Sequence, residues 1–215
     1  MTKSEIRSFV KGLVRGISVE ERARFSEALK EEVVGLECWR SAKEVMLFFS
    51  LPDEVDMLPL IRAALAEQKR IYLPRVIATQ VSRGVDVCEV AEGNTLPKKS
   101  TLPAGNTVSC EEMILEVREL APGQLAPGRW GIWEPTDEAP LLSDYSRLDL
   151  VVVPGVAFSS DGKRLGRGKS FYDRFLPLVP RAAFVGVCYP CQVVEQIPAD
   201  PWDIGMDIVC CGKKR

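Results

Sequence analysis

The sequence predicts an α/β fold in which a mainly parallel sheet lies between helices on both faces. Two uninterrupted apolar runs, Leu150–Val153 and Ala183–Val187, are typical of strands that are buried on both sides. Amphipathic segments alternate with such runs, beginning with Lys3–Val14, whose apolar residues recur at helical spacing. This alternation indicates parallel pairing, because a parallel strand pair needs a long crossover connection, usually a helix.

The remaining elements are predicted from local signals. A second helix begins at Ser18, because Glu21 follows three residues later and completes a capping box. Further strands are predicted at Val45–Phe49, Ile71–Leu73, Val85–Val90 and Met113–Val117. A helix between the first two of these strands is predicted from the spacing of Leu58, Ile61 and Leu65. The stretch 91–106 is rich in Gly, Pro, Lys and Thr and is predicted to be an exposed loop.

The composition is that of a folded protein without a broad basic surface. The 215 residues are 46% apolar and 27% charged, as in soluble globular domains. A net charge of −2 argues against general nucleic-acid binding, which needs a broad basic face. No apolar run approaches the ~20 residues of a membrane span, and Met1 precedes the polar residues Thr2–Glu5 rather than an apolar signal core. We therefore expect a cytoplasmic protein with no nucleic-acid or membrane partner.

The cysteine and histidine contents limit the chemistry. Seven scattered cysteines, an odd number, argue against a secreted disulfide framework. Cys188 and Cys191 form a C-x-x-C that is redox-active, half of a zinc site or a pair of small buried residues. The absence of a second such motif and of any histidine favours the last interpretation. Without histidine no Ser-His-Asp relay can operate, so catalysis must use carboxylates, cations, backbone dipoles or an oxygen-bound metal.

A glycine-rich cationic turn, Ser159–Ser170, follows the strand Leu150–Val153 and precedes another amphipathic segment. The apolar residues of that segment are Phe171, Tyr172, Phe175 and Leu176, and Pro177 then disfavours a longer helix. The cations are Lys163, Arg164, Arg167, Lys169 and Arg174. A strand, a glycine-rich turn and a helix start together aim backbone N–H groups and the positive end of a helix dipole at an anion.

Phosphate is the anion that this turn suits best, because Gly166 and Gly168 allow the backbone to approach a ligand closely. The turn matches neither common phosphate-binding motif. The Walker pattern would need glycine in place of Lys163, and the dinucleotide pattern would need it in place of Phe171. On charge pattern alone, the alternative is a basic turn that is simply solvated.

Three motifs stand in and around this turn. They are Pro154-Gly155-Val156-Ala157-Phe158, Asp161-Gly162 and Arg164-Leu165-Gly166-Arg167-Gly168-Lys169-Ser170-Phe171-Tyr172-Asp173. Together they closely resemble the signature of the 5-formyltetrahydrofolate cyclo-ligase (methenyltetrahydrofolate synthetase) family. The family usually ends this run with Gly-Tyr-Tyr-Asp, so the chain departs from it at Ser170 and Phe171.

Other segments resemble the same family in the same order. They are Lys3-x-x-x-Arg7, Glu54-Val55-Asp56, Leu73-Pro74-Arg75, Gly131-Ile132-x-Glu134-Pro135 and Trp202-Asp203, where the family usually has His-Asp. The resemblance covers most of the chain, although residues 77–112 match nothing. It implies a single three-layer α/β/α domain over residues 1–215, NagB/RpiA/CoA-transferase-like, with a mainly parallel sheet.

The resemblance also implies an activity. The chain would be a monomeric, cytoplasmic ligase of one-carbon metabolism that converts 5-formyltetrahydrofolate and ATP to 5,10-methenyltetrahydrofolate, ADP and phosphate, with Mg²⁺ as cofactor. ATP would phosphorylate the formyl oxygen, and N10 would then close the ring. The alternatives are a non-catalytic folate- and nucleotide-binding paralogue of the same fold, or a different phosphotransferase or sugar-phosphate enzyme.

Site residues follow from the matched motifs. The catalytic residues implied are Lys169 and Arg167. The implied ATP-binding residues are Lys3, Arg7, Arg164, Leu165, Gly166, Arg167, Gly168, Lys169, Ser170, Phe171 and Tyr172. The implied substrate-binding residues are Phe49, Glu54, Arg167, Gly168, Lys169, Ser170 and Phe171. The implied metal ligands are Asp173 and Asp203.

Several of these residues also have a structural interpretation. Lys3 and Arg7, four residues apart on a predicted helix, either reach one ligand or form a solvated stripe. Glu54 is assigned to the pterin, because a carboxylate can accept two hydrogen bonds from its amino-pyrimidine edge, and Asp56 is assigned as a helix cap. Asp173 is either a metal ligand or the partner of a neighbouring cation.

Overall fold

The computed structural model of the protein describes residues 1–84, 107–128 and 131–213. The predicted strand Val85–Val90 and the predicted loop 91–106 lie outside the described residues. The described helices are α1 (Lys3–Arg15), α2 (Val19–Val34), α3 (Glu37–Ser41), α4 (Leu58–Ala66) and α5 (Phe171–Phe175). The described strands are β1 (Glu44–Met46), β2 (Arg70–Gly84), β3 (Thr107–Glu119), β4 (Leu125–Pro127), β5 (Trp133–Pro135), β6 (Leu150–Pro154), β7 (Ala157–Ser159), β8 (Arg164–Leu165), β9 (Ala183–Val187), β10 (Val193–Val194) and β11 (Ile208–Cys210). Short 3₁₀ segments are found at Tyr145–Arg147, Leu176–Leu178 and Pro190–Gln192.

The main sheet has the strand order β11-β9-β6-β1-β2-β3. β1 pairs in parallel with β2 and β6, β6 pairs in parallel with β9, and β9 pairs in parallel with β11. The predicted parallel character is therefore confirmed. β10, β7 and β8 form a smaller sheet, and β4 pairs with β5 as an antiparallel ribbon.

Alternate residues of the central strands enter two hydrophobic clusters, as successive strand side chains must. Val45 and Val152 join the cluster that contains buried residues of α1, α2, α3 and α4. Met46 and Val151 join the second cluster, which includes Phe175 of α5 and its neighbours. Helices therefore cover both faces of the sheet, which confirms the three-layer α/β/α prediction.

The predicted helix starts agree with the structure. Ser18 Oγ accepts a hydrogen bond from Glu21 N at 3.2 Å, and Ser18 N donates to Glu21 Oε2 at 3.1 Å, which completes the predicted capping box. Thr2 and Glu5 form the same arrangement at the start of α1. Both helices on this side of the sheet thus have defined first turns.

Three predicted boundaries or faces are wrong. β1 ends at Met46 rather than Phe49. β2 continues through Pro74 to Gly84, because its pairing with β1 ends before Pro74 and the missing N–H is not needed there. The apolar face predicted for α4 from Leu58, Ile61 and Leu65 is wrong at both ends, because Leu58 is 42% exposed and Leu65 is 55% exposed. The buried face of α4 consists of Leu60, Ile61 and Ala64.

The chain divides into two compact units. The first consists of Met1–Arg75 with Leu115–Arg215, and it contains every residue of the site described below. The second, Val76–Ile114, holds the outer parts of β2 and β3. The single domain over residues 1–215 stays a prediction. Among helices in the described ranges, none has the length and apolar content that crossing a bilayer requires.

Candidate active site

The first half of the predicted turn is a hairpin, which corrects the expectation of one open turn. β7 and β8 pair antiparallel across residues 157–165, and Gly162 N donates to Ser159 O at 3.0 Å at the tip. Gly162 has φ +82°, and a Cβ there would lie 2.4 Å from Met206 O. Glycine is required at this position for both reasons. The open loop is therefore confined to residues 166–170.

The helix that follows the loop is short and ends before Pro177, as predicted. α5 spans only Phe171–Phe175, and the chain then tightens into the 3₁₀ segment Leu176–Leu178, because Pro177 lacks the N–H that a continued helix would use. One helical turn contributes little dipole. An anion at the loop would thus depend on backbone N–H groups and cations rather than on a helix end.

Of the two cations of α1 singled out in the sequence, Arg7 contacts the loop and Lys3 contacts two aspartates. Arg7 Nε donates to Gly166 O at 2.8 Å, across 159 positions of sequence. The Arg7 guanidinium also lies close to Gly168, whose φ of +92° favours glycine. Lys3 Nζ contacts Asp203 Oδ2 at 2.5 Å and Asp200 Oδ2 at 2.7 Å. The predicted face of α1 and the loop are therefore brought together.

Arg164, at the base of the loop, is a buried cation. Its side chain is only 4% exposed, and its Nη2 contacts Asp173 Oδ1 at 2.6 Å. Nη1 donates to Pro154 O at the end of β6 at 3.3 Å, and the guanidinium stacks over the Tyr172 ring at 5.7 Å. Within the described residues, Nε has no hydrogen-bond partner. Arg164 thus links β6, the loop and α5.

Arg167 forms ion pairs with two carboxylates at the exit of β1. Its Nη2 lies 2.6 Å from Asp53 Oδ1 and 3.0 Å from Glu54 Oε1. Glu54 also accepts a hydrogen bond from Leu51 N at 3.0 Å. Burial raises the pKa of Glu54, against the opposing effects of Leu51 N–H and Arg167. Glu54, which is assigned to the folate, and Arg167, which is assigned to ATP, therefore form an ion pair with each other.

A small cavity of about 90 Å³ lies beside this pair, and Arg7, Asp53 and Arg167 line it. It is also lined by Lys11, which the sequence reasoning missed. The signal was present, since Lys11 continues the four-residue spacing of Lys3 and Arg7 along α1.

The remaining predicted loop residues differ in accessibility. Lys169 is exposed, and no ion pair or hydrogen bond of its side chain occurs in the described part of the chain. Ser170 is also exposed and has φ +52°. Leu165 is buried, and its backbone pairs with β7. Phe171 lies under the Arg174 guanidinium at 5.7 Å. Burial of the Tyr172 hydroxyl raises its pKa.

A second, wider cavity begins at Phe49. It has a volume of about 520 Å³ and is lined by Phe49, Ser50, Asp56, Leu58, Leu125, Gly131, Ile132 and Trp133. Trp133, which is 53% exposed, was missed as a site residue, although it stands inside a motif that the sequence analysis noted. Asp56 Oδ1 accepts from Leu58 N at 3.0 Å, but the N-cap residue of α4 is Met57. Asp56 therefore caps the helix start from one position earlier and also faces the cavity.

The two aspartates assigned to the metal are each paired with a cation. Asp173 uses Oδ1 for Arg164, and Asp203 uses Oδ2 for Lys3 and for Asp200 N. In the described ranges, no cluster of three or more His, Cys, Asp or Glu side chains could hold a metal by itself. The donor set fits Mg²⁺, which uses one or two carboxylates together with phosphate oxygens and water.

The cysteines agree with the structural interpretation. Cys188 and Cys210 are buried, and Cys38, Cys191 and Cys211 are half-buried; none of these five described cysteines is in a disulfide. Burial raises the pKa of Cys188 well above its ordinary value, which disfavours the reactive thiolate.

The Lys3–Asp203 pair predicts a pH-dependent contribution to stability. Burial would raise the pKa of Asp203, but the hydrogen bond and charge of Lys3 and the nearby Arg164 lower it below 3.8. A carboxyl group with a lowered pKa stabilises the fold above pH 3.8, and this contribution is lost as the pH falls through the folded-state pKa. We expect Lys3→Met to reduce the free energy of unfolding by about 0.5–1 kcal/mol at pH 7. The difference in the free energy of unfolding between Lys3→Met and the parent should become smaller below pH 3.8.

Urea unfolding at pH 7 and near pH 3 measures this effect, and Lys11→Met is the control on the same helix. A Lys3→Met deficit that stays constant between the two pH values would contradict the account.

Nearly the whole chain is similar to known proteins of one family. Residues 1–212 match the model of the 5-formyltetrahydrofolate cyclo-ligase family. The 5-formyltetrahydrofolate cyclo-ligase of Haemophilus influenzae is 26% identical over 212 residues, which cover 98% of this chain and 97% of that relative. The Escherichia coli K12 protein of the same name is 31% identical over 175 residues, covering 80% of each chain.

Solved structures give the same result for the fold. The 5,10-methenyltetrahydrofolate synthetase of Aquifex aeolicus superposes with a TM-score of 0.73 at 32% identity, covering 100% of this chain and 91% of that one. The synthetase of Mycoplasma pneumoniae superposes with a TM-score of 0.68 at 19% identity, covering 99% of this chain and 100% of that one.

Proposed function

This chain belongs to the 5-formyltetrahydrofolate cyclo-ligase family, and from that premise we propose that it converts 5-formyltetrahydrofolate and ATP to 5,10-methenyltetrahydrofolate, ADP and phosphate. The observation that carries the proposal is the 2.8 Å hydrogen bond from Arg7 to Gly166 O. It joins two motifs that are far apart in sequence into one cationic, glycine-containing site, as phosphoryl transfer from ATP requires.

The reaction needs ATP because a formamide oxygen is a poor leaving group. Transfer of the γ-phosphoryl group to the formyl oxygen, with loss of ADP, converts that oxygen to a phosphate ester. N10 then forms a bond to the formyl carbon as the carbon–oxygen bond breaks, phosphate leaves, and N10 gives up its proton. These steps depend on positioning and charge neutralisation, and neither requires a histidine.

The phosphates would lie on the loop 166–170, where Gly166 and Gly168 have no side chain to keep a ligand away from the backbone and residues 168–170 are exposed. Lys169 supports this assignment, because it is exposed and no ion pair in the described ranges occupies it. Arg7 and Lys3 would contact the nucleotide from α1. The Arg164 side chain is only 4% exposed and is bound to Asp173. We therefore propose that Arg164 positions Asp173, and that most of its guanidinium does not contact ATP.

The folate would occupy the cavity beside Phe49, with its aromatic rings against Phe49 and Trp133. Glu54 is adjacent in sequence to Asp53 and bound to Arg167. A pterin that hydrogen-bonds Glu54 would compete with Arg167 for this carboxylate, and Arg167 would then be able to turn toward a phosphate. The two substrates would thereby be coupled through one ion pair.

We propose that Asp173 and Asp203 hold the Mg²⁺ that accompanies ATP, since each uses only one carboxylate oxygen for its cation. When bound, the ion would neutralise charge on the β- and γ-phosphates. Arg164 and Lys3 would hold the two carboxylates in place through their ion pairs.

The magnesium assignment predicts a shared effect. Asp173→Asn and Asp203→Asn should each raise the Mg²⁺ concentration needed for half-maximal rate. The factor by which the double variant raises this concentration should be far smaller than the product of the two single factors, because both residues act on one ion. Asp161→Asn is the control, because Asp161 is an exposed carboxylate on the β7–β8 hairpin. If the Mg²⁺ titration is the same in both single variants and the parent, the two aspartates are salt-bridge partners only.

We also propose that the chain is a monomeric, cytoplasmic, single-domain enzyme. The lack of a disulfide among the five described cysteines Cys38, Cys188, Cys191, Cys210 and Cys211 supports a reducing compartment. The family match over residues 1–212 supports one domain.

Transfer of the formyl oxygen to the released phosphate tests the proposed reaction. With oxygen-18 in the formyl group of the substrate, we expect one labelled oxygen in each phosphate released. Unlabelled phosphate formed together with methenyl product would exclude phosphorylation of the formyl oxygen. Tight binding of both substrates without any phosphate release would instead identify a non-catalytic binding paralogue.

A further inference from the structure

A tight turn at Asp200–Asp203 presents an aromatic residue at its tip. Asp203 N donates to Asp200 O at 3.0 Å, and Asp200 N donates to Asp203 Oδ2 at 2.8 Å, so backbone and side chain close the turn together. Pro201 occupies the second position, where its fixed φ suits a β-turn. Trp202 is the third residue of the turn, and the local backbone has little freedom to change its position.

The turn is anchored to the candidate active site at two points. Lys3 Nζ binds the carboxylates of both Asp200 and Asp203, at the first and last positions of the turn. A few residues later, Met206 N donates to Gly162 O at 2.7 Å, which ties the segment to the β7–β8 hairpin. The turn therefore lies between the start of α1 and the hairpin that carries the cationic loop.

Trp202 is 66% exposed, although hydrogen bonds and ion pairs hold the backbone of its turn in place. Single exposed apolar side chains are common and need no explanation by themselves. An aromatic ring held on an ordered turn is different, because binding it to a ligand costs little conformational entropy. Trp202 is also adjacent in sequence to Asp203, whose carboxylate binds Lys3 of the site.

We propose that Trp202 is the surface on which the purine base of ATP stacks. The inference rests on the proposed function, which places the triphosphate on the loop 166–170 and its metal at Asp173 and Asp203. The base is the only aromatic part of the nucleotide, and Trp202 adjoins one of those two aspartates. Stacking uses the face of the base and not its edge, so the site should accept purine triphosphates with little discrimination.

The test compares ATP with inorganic tripolyphosphate, which lacks base and ribose, in the presence of Mg²⁺. In the parent, ATP should quench tryptophan fluorescence and tripolyphosphate should not. The titration contains no folate, so Trp133→Phe, at the tryptophan assigned to the folate cavity, should retain the quenching by ATP, and Trp202→Phe should lose it. By calorimetry, Trp202→Ala should raise the ATP Kd by about 5- to 140-fold, which corresponds to ~1–3 kcal/mol of base stacking. Its Kd for tripolyphosphate should stay within about twofold of the parent value, and Trp202→Phe should recover most of the ATP affinity.

The outcomes separate this inference from the proposed function. An ATP Kd that is unchanged in Trp202→Ala would overturn the stacking role while leaving the enzyme assignment intact. Equal weakening of ATP and tripolyphosphate would overturn it too, because the residue would then be supporting the phosphate site. A parent protein that binds neither ATP nor tripolyphosphate would overturn the proposed function together with the inference.

Discussion

Replacing Lys169 with alanine is expected to lower turnover by roughly 10- to 1000-fold without changing the thermal midpoint. A charge-assisted hydrogen bond to phosphate is worth about 1.5–3 kcal/mol, and more where water is excluded in the transition state. Lys169 is exposed and unpaired within the described residues, so its removal leaves no buried charge behind. Steady-state rates with saturating substrates measure the effect.

Lys163→Ala is the matched control for Lys169. Lys163 is an exposed lysine at the tip of the β7–β8 hairpin, which precedes the loop that carries Lys169, and its Nζ lies 2.8 Å from Asp161 Oδ2. We expect this variant to keep near-normal turnover. If Lys169→Ala and Lys163→Ala behaved alike, the transferred phosphate would have to lie elsewhere.

Arg164→Met is expected to have the largest effect on stability. The substitution removes a guanidinium that is 4% exposed and leaves Asp173 without its 2.6 Å partner. Breaking a buried ion pair by deleting one member costs about 3–5 kcal/mol, because the other charge stays desolvated. Lysine at this position keeps the charge but cannot reach both Asp173 and Pro154 O, so Arg164→Lys should fall between the parent and Arg164→Met.

Urea unfolding of the three proteins measures this series, with Lys163→Met as the control at the adjacent residue. A free energy of unfolding for Arg164→Met within about 0.5 kcal/mol of the parent would be typical of an ordinary surface substitution. That result would mean that Arg164 does not hold the loop and α5 together.

Local patterns were sufficient for the main elements of the fold. Leu150–Val153 is apolar at every position and rich in β-branched residues, which is typical of a strand covered on both faces. The Ser18–Glu21 capping box fixed the start of α2, since its hydrogen bonds involve only neighbours in sequence. The β7–β8 hairpin was missed because its tip, Gly162, stands among cations and glycines that are equally typical of an open loop.

The pairings inside the site depend on tertiary structure. Arg167 and Asp53 are separated by 114 positions, and nothing local distinguishes Arg167 from the accessible Lys169 two residues later. Nothing in the local sequence distinguishes Arg164 from an exposed cation. It is buried only because the folded chain places it beneath the loop. The cavity that joins Phe49 to Trp133 likewise forms only when two distant segments fold together.

The central claim is tested most directly by mixing the protein with 5-formyltetrahydrofolate, ATP and Mg²⁺ and following the near-ultraviolet absorbance of the methenyl product. The account predicts that absorbance rises in proportion to enzyme concentration and that one ADP forms for each methenyl group. It also predicts no increase when either ATP or the folate is omitted. ADP formation that is independent of the folate, or no methenyl absorbance from a folded protein that binds both substrates, would contradict it.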